Sequence, residues 1–502
     1  MAERALFDAI ILGGGPAGSA VGRLLSRWGH SVLLLDKAAP LSRSLAESLP
    51  PSTRKLLAQI GVLEAVEREG FVRATGNTVW WASGDRRVEA FGPAREAMGY
   101  QVRRSSFDRV LRDCARAAGV DVRTDARIRE VRFVDESSTE PIKPTRSDRR
   151  PAVVAFDEDG RRCSASGRFV LDCSGRAGLV GRRFRRMEPG YRTCALVGVW
   201  STSAGWDLPD ETHTVVETYD EGWMWSVPVS ETTRHVGAMV DRATSVAGGS
   251  GALESVYRAE IGKTGNLFRV LEGATLQRVW ACDASLYSSA RYGGSQFLLI
   301  GDAGSFIDPL SSFGVKKALA SAWLAAIAVH TSLTHPERQE VALEFFSKWE
   351  QDVYANNLDR SAEFARAAQM RHPHPFWASR AAAGAAPEDR RERGQARDPD
   401  VQAAFDRFKH ASSVDLMLAA DVRVEPRPVI RDHEIVLEDA FVDVGRFSGN
   451  VDLVKLADIA CRHTGVPDVF EDYCRSCGRV PLPNVVSGLS LLVAKGILHD
   501  RA

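Results

Sequence analysis

Much of what would betray a specialised partner is missing from this 502-residue sequence. It has no net charge, since Lys+Arg and Asp+Glu number 65 each. That balance excludes a bulk electrostatic hold on nucleic acid, and no polybasic patch is available for an anionic membrane surface. No apolar run approaches the roughly 20 residues that cross a bilayer. A signal-peptide pattern is not expected either, because the apolar run Ala9–Leu12 leads straight into glycines. Cysteines are few, eight in all and mostly isolated, which fits reduced thiols in a cytoplasmic protein better than a disulfide framework. No internal repeat is visible. Neither is a second dinucleotide fingerprint, since Gly248-Gly-Ser-Gly251 lacks the flanking strand and helix that one needs.

What is present reads as a globular enzyme. Apolar residues make up 44% and charged residues 26%, which is ordinary for that class. The length allows two to four domain-sized units. Residues 7–38 run strand, turn, helix, strand: Phe7–Leu12, Gly13–Gly18, Ser19–Trp28 and Ser31–Asp36. This is a βαβ unit. Its turn, which includes Ala17, spells G-x-G-x-x-G at Gly13, Gly15 and Gly18. The first glycine makes the tight turn, the second lets backbone approach a pyrophosphate, and the third lets helix and strand pack closely. The helix N-terminus then offers N–H groups to phosphate. Asp36 ends the second strand, where an acid accepts hydrogen bonds from ribose hydroxyls and favours FAD or NAD over NADP. The bland alternative is a glycine-rich turn with no ligand.

Further along, Thr53–Val66 is expected to be one amphipathic helix, 71–103 strands with an irregular loop, and Phe107–Ala118 a helix. Glu136–Pro151 reads as a surface loop. Cys194–Cys282 reads as strand-rich, followed by a strand at Phe297–Ile300 and a long apolar helix at Val315–Leu333. Glu340–Ala367 is helical, Pro387–Asp400 is a charge-dense connector, and the last hundred residues form a smaller, mostly helical unit.

Three further segments carry a resemblance. Leu298-Leu-Ile-Gly301-Asp302-Ala303 is an apolar strand ending in Gly-Asp. Val170-Leu-Asp172-Cys-Ser174-Gly175-Arg176 ends in Asp-x-Ser-Gly. Tyr100-Gln-Val102-Arg-Arg104-Ser-Ser-Phe107-Asp108 bridges strand and helix. With the glycine turn they resemble, in order and over about the first 330 residues, the group-A flavoprotein monooxygenase superfamily. The resemblance implies FAD as cofactor, with Asp302 at the ribityl chain and Arg104 reaching the flavin. A helix N-cap is the alternative role for Asp302.

Within that superfamily one branch matches more closely. Gly222-Trp223-Met-Trp225-Ser-Val227-Pro228 is similar to the W-x-W-x-I-P motif of flavin-dependent halogenases. Phe306-Ile-Asp-Pro309-Leu-Ser-Ser312-Phe-Gly314 matches their F-x-x-P-x-x-S-x-G pattern, with Val315 next. Ala46-Glu47-Ser48-Leu49-Pro50-Pro51 resembles their Gly-Glu-Ser-Leu-Pro-Pro turn. The resemblance implies a constrained turn from Pro309 to Gly314 with N–H groups facing the flavin, where negative charge develops on reduction. It also implies a tryptophan wall between flavin and substrate; two buried strand aromatics are the plainer reading.

The departure from the branch matters more. Halogenases of this branch carry a lysine, thought to orient hypohalous acid, in a segment that resembles Phe71-Val-Arg73-Ala74-Thr-Gly76-Asn-Thr-Val-Trp80. The matching position here is Ala74. Many tryptophan-halogenating members have a glutamate where this chain has Ser311. Arg73 is the wrong shape and one residue out of register.

Other candidates are weaker. Cys461, His463, Cys474 and Cys477 include one Cys-x-x-Cys, but the Cys-x-His half has poor metal spacing, so no metal is expected. His372 and His374, in His-Pro-His-Pro-Phe-Trp, read as a surface loop that alternatively borders a cavity. His235 is a candidate acid/base group.

The expected fold is α/β. A Rossmann-like FAD-binding domain of the GR2/PHBH type is built from 1–70, 100–190 and 290–335. A β-rich substrate layer (71–99 and 191–289) is inserted into it, and 336–502 is mainly helical. The expected activity is monooxygenation of an electron-rich aromatic substrate, free or tethered to a peptide or carrier, by O2 through a flavin C4a-hydroperoxide. A separate flavin reductase would supply electrons. The alternatives are a halogenase with a differently placed cation, a geranylgeranyl-reductase-like flavin reductase, and a non-catalytic flavin-binding protein.

Overall fold

The computed structural model describes residues 6–37, 44–82, 84–133, 151–242, 250–384, 399–410, 413 and 415–501. The expected loop at 136–150, the connector at 387–398, and Gly248 and Gly249 lie outside them. The chain forms two compact units, Met1–Gly384 and Ala385–Ala502.

The first unit is built on an eight-stranded sheet. At its centre Leu6–Leu12 runs parallel to Val32–Leu35 on one side and to Arg161–Asp172 on the other. Phe297–Leu299 and Asp121–Arg123 extend the parallel part, while Ala152–Glu158 and Arg127–Arg132 add antiparallel strands. Ile10, Ile11, Leu33, Leu34, Val170 and Leu171 are all fully buried. Their continuous apolar runs are what a parallel strand covered on both faces requires. Gly18 lies in the helix Pro16–Arg27, where an added Cβ would sit 1.9 Å from the Gly13 carbonyl oxygen. No side chain fits there, so helix and strand meet only because this residue is glycine.

A seven-stranded sheet stands beside it, ordered Thr275–Asp283, Thr193–Ser201, Thr233–Asp241, Gly222–Ser230, Thr214–Tyr219, Gly76–Trp80 and Arg86–Ala90. One face packs on the helices Ser250–Ile261 and Asn266–Val270 through Trp200, Trp206 and Tyr257. These helices interrupt the stretch expected to be strand-rich. They carry the apolar cover that the sheet's second face needs, spaced too briefly to stand out from flanking β-rich sequence. A three-stranded sheet, Ala46–Leu49, Gly99–Arg103 and Val72–Ala74, joins the two larger ones.

The helix expected over Thr53–Val66 is two, Thr53–Ile60 and Leu63–Arg68, separated at Gly61 with φ 77°. A left-handed glycine ends the first helix there. The long helices Gly314–Thr334 and Gln339–Gln369 and the short Pro375–Ala381 complete the first unit. The His-Pro-His-Pro-Phe-Trp segment is therefore not a surface loop. His374 accepts a hydrogen bond from Phe376 N as the helix cap, and Phe376 and Trp377 are buried. His372 is buried too, with Asp220 at 2.7 Å.

The second unit has its own core, including Phe408, Leu453, Leu456, Tyr473, Leu489 and Leu492. Four helices make most of it: Pro399–His410, Leu453–Ala460, Val466–Cys477 and Leu482–Ala494. It also holds an antiparallel hairpin, Val424–Arg431 with Glu434–Phe441. Its two-residue turn puts Asp432 and His433 at φ 46° and 70°. That turn geometry is ordinarily announced by Asn-Gly or Asp-Gly, so Asp-His gave no hairpin signal. No single helix among the described residues is long and apolar enough to cross a membrane.

Candidate functional site

A cavity of about 730 Å³ opens where the two large sheets of the first unit meet. One side is the glycine turn. Gly13, Gly15 and Ala17 line it, with Asp36 at the end of the next strand. The helix Pro16–Arg27 has no side-chain cap, so its first N–H groups are free to serve a ligand. An added Cβ at Gly15 would meet nothing closer than Arg104 Nη2 at 3.9 Å. The turn is a cradle with room over its middle glycine, as a pyrophosphate requires. Burial raises the Asp36 carboxyl above the usual range, partly offset by hydrogen bonding to Gly14 and by Arg112.

Arg104 lines the same cavity between Glu47 at 3.2 Å and Asp108 at 3.0 Å. Burial works against its charge, but Asp108 and Glu47 more than offset this and hold its pKa above the ordinary value. Glu47 is itself raised by burial, less the pull of Arg104. Ser48 and Asp302 also face the cavity. Asp172, by contrast, is spent on its own chain: its carboxylate accepts from Ser174, Val180 and Gly181. Its motif turns the backbone so that Ser174 and Arg176 reach the cavity.

Opposite, the turn after Phe306 is locked by its own side chains. Asp308 accepts from Leu310 N at 3.0 Å, Ser311 Oγ donates to Asp308 O at 3.1 Å, and Ser312 adopts φ 53°. Pro309, Ser312, Gly314 and Val315 line the cavity, and the helix Gly314–Thr334 starts there without a side-chain cap. The third wall is the pocket-side face of the seven-stranded sheet, with Ala195, Val197, Thr214, Val216, Trp223, Trp225, Val227 and Met239. The Trp225 indole lies flat over Gly237, where any Cβ would come within 2.2 Å of the ring.

Of the sixteen residues assigned from sequence to the cofactor, the tryptophan wall and the turn at Pro309, all but Gly18 and Gly301 line this cavity. Gly18 packs against Gly13, and Gly301 turns the chain at φ 63°. Ala74 is 1% exposed and outside the lining. His235 is fully buried with neither ring nitrogen partnered, and burial, with Arg103 and Arg278 nearby, pushes it down to about 4. It too is outside the lining. Among the described residues no three His, Cys, Asp or Glu side chains converge to hold a metal. His463 instead faces Asp472 at 2.9 Å.

One feature escaped the sequence reading. Lys317 is buried in the helix Gly314–Thr334, and its Nζ donates to the carbonyls of Gly301, at 3.1 Å, and Ser305. Beneath it Ser321 donates to Glu350 and accepts from Gly301 N at 2.9 Å. A lysine inside an apolar helix was the available signal. Burial pushes the Glu350 carboxyl up to about 7 from the ordinary 4.5, against the pull of Lys317. The folded chain therefore holds a proton there that the unfolded chain has released. This support is complete below about pH 4.5 and is lost as pH rises through about 7. Glu350→Gln should gain thermal stability relative to the parent on going from pH 5 to pH 8. Melting curves of both proteins at the two pH values check this, and an unchanged difference would refute it.

Residues 7–335 match the family model described as FAD binding domain. Tryptophan 2-halogenase of Chondromyces crocatus is 30% identical over 389 residues, which is 72% of this chain and 70% of that protein. The flavin-dependent halogenase CmlS shares the fold over 100% of this chain and 97% of its own, with TM-score 0.78 and 21% identity. The peptidyl tryptophan dihydroxylase QhpG shares it over 98% of both chains, with TM-score 0.64 and 24% identity. The chain belongs to the FAD-binding-domain family, in its flavin-dependent halogenase-like branch, and is an FAD-dependent oxidoreductase.

Proposed function

We propose that the chain is a monooxygenase that hydroxylates an electron-rich aromatic ring, indole-, pyrrole- or phenol-like, free or carried on a peptide or carrier protein. The observation that carries this is the composition of the sheet wall: of its ten lining residues, Ala195 to Met239 with Cys282 and Asp283, none is a cation, and the one charge, Asp283, is paired with Arg176. Hypohalous acid needs a cation to hold it, and a hydroxylation needs only an aromatic ring kept dry beside the oxidant. Arg176 also lines the cavity, but Asp283 at 3.1 Å and the Ser285 carbonyl occupy it.

Bound and reduced, FAD supplies the activation of O2. The chain's own residues would do the rest. Gly13, Gly15, Ala17 and Asp36 would hold the adenosine side, with Gly18 closing the turn behind them. Glu47, Ser48, Arg104 and Asp302 would hold the flavin side, with Gly301 shaping the approach to Asp302. The Gly314 and Val315 N–H groups, at the start of an uncapped helix, would face the charge that reduction places on the ring, with Pro309 and Ser312 shaping the turn that presents them. Trp223 and Trp225 would flank the substrate and exclude water. The QhpG name supports a peptide-borne substrate. A second reading, halogenation, is favoured by the identity to the tryptophan 2-halogenase.

We infer that a separate reductase delivers the electrons. With 3-methylindole and a tryptophan-containing peptide as probes, in bromide-rich buffer under 18O2, the product should gain 18O only when an NADH-dependent flavin reductase is present. A brominated product without 18O would establish the halogenase reading instead.

A further inference from the structure

We propose that Lys316 and Arg360 form an anion-binding pair beside the cavity, which takes the carboxylate or phosphate of the molecule that carries the aromatic ring. Lys316 lies in the first turn of the helix Gly314–Thr334, and Arg360 lies on the helix Gln339–Gln369. Both stand over one ring. Lys316 Nζ is 4.7 Å from the Phe313 centroid, and Arg360 Cζ is 5.8 Å from it. An aromatic face attracts cations but does not neutralise them. Among the described residues neither cation is paired with a carboxylate. Arg360 is exposed and Lys316 half-buried. Burial and the Arg360 charge pull the Lys316 ammonium below its ordinary value. Two like charges held this close repel each other, and an anion between them replaces that repulsion with two attractions. The uncapped start of the helix Gly314–Thr334 adds positive potential on the same side.

The pair borders the cavity without entering it. Ser312 and Gly314, on either side of Phe313, are lining residues, and the helix carrying Arg360 packs on the turn Pro309–Ser311. One turn beyond Arg360, the Phe364 ring lies 5.8 Å from that of Trp81, which lies 6.4 Å from that of the lining residue Trp223. Both ends of this path are cavity wall. Because the two cations reach solvent and stand outside the lining, they suit a charged tail that stays outside when the ring goes in. They are not placed to hold hypohalous acid within. Other cations on the lining are committed elsewhere: Lys37 and Arg127 lie with Asp36, where adenosine belongs, and Arg176 is held by Asp283. The tail has two chemical sources, a carboxylate on a free substrate or the phosphate in the arm by which a carrier protein holds an acyl group.

This inference rests on the aromatic-substrate reading, and one set of titrations separates their failures. FAD-loaded protein is titrated with indole-3-propionate, indole-3-hexanoate and their methyl esters, and with the indole-3-carbonyl thioesters of phosphopantetheine and of pantetheine. Binding is followed by the flavin absorbance. At least one anion should bind about tenfold more tightly than its neutral partner, and added NaCl should erode that preference. Whether the acids or the phosphate show it identifies the source. Lys316→Met combined with Arg360→Gln should bring the ratio close to one, with FAD and the neutral probes bound as in the parent, whereas Lys316→Arg should keep the preference. A parent ratio near one, or a preference that survives in the double variant, overturns the proposal, and binding of the neutral probes then leaves the aromatic-substrate reading standing. Should no probe bind, charged or neutral, both are overturned.

Discussion

Gly15→Val is expected to weaken FAD binding by at least about 100-fold, or about 2.7 kcal/mol, while the ligand-free protein melts within a few degrees of the parent. The reasoning depends on which glycine is chosen. At Gly18 a Cβ would meet backbone oxygen at 1.9 Å, and at Gly13, with φ 104°, one would meet the Cys173 oxygen at 2.6 Å. Substitution at either position damages the fold before it reports on a ligand. Gly15 has open space above it, and its nearest neighbour for a Cβ is the end of the Arg104 side chain. A valine there fills the volume where a pyrophosphate must approach backbone, and little else. Asp36→Ala should also weaken binding, by about 1.5–3 kcal/mol, the worth of hydrogen bonds to a charged group. Equilibrium titration with FAD beside thermal melts separates the two effects. Full FAD affinity in Gly15→Val would place the dinucleotide somewhere else.

The cofactor half of the site was legible because its signals are local. Gly13 to Gly18 lies within one turn, and Asp36 follows at a spacing set by one helix and one strand. The wall opposite was legible only through resemblance: nothing in the periodicity of Trp223 and Trp225 says that the face they share with Met239 is the one turned toward the flavin side. Contacts between residues far apart in the chain were not legible. Gln101 meets Thr214 across 113 positions, and Glu350 meets Ser321 through a helix pair whose register no pattern announces. Lys317 reads in sequence as a polar interruption of an apolar helix, and only the fold shows that two carbonyls receive it. The hairpin at Val424–Phe441 was missed for a different reason, a turn whose positive φ angles fall on Asp432 and His433 instead of glycine.

Placing a lysine at Ala74 should not produce a halogenase. Ala74→Lys is expected to leave bromination at no more than about 1% of turnovers, a shortfall of about 10²-fold that a misplacement of about 1 Å suffices to produce. Ala74 is 1% exposed and packs near Gly99, where an added Cβ would be 3.5 Å from the Ala74 Cβ. The face it shares with Ser48 and Gln101 offers hydroxyl and amide groups and no carboxylate. A lysine forced into that layer would be desolvated without a counter-charge, and burial of that kind drives an ammonium toward its neutral form. It would also run into the Gln101–Thr214 hydrogen bond before reaching the cavity that Thr214 lines. Ser311 cannot supply the acid found in tryptophan halogenases, because its hydroxyl donates to Asp308 O within its own turn. The ratio of brominated to 18O-labelled product, measured for Ala74→Lys and for Ala74→Lys with Ser311→Glu, decides the matter. If the single substitution yields mainly brominated product, the cavity was built for a hypohalous acid and has lost only the group that holds it.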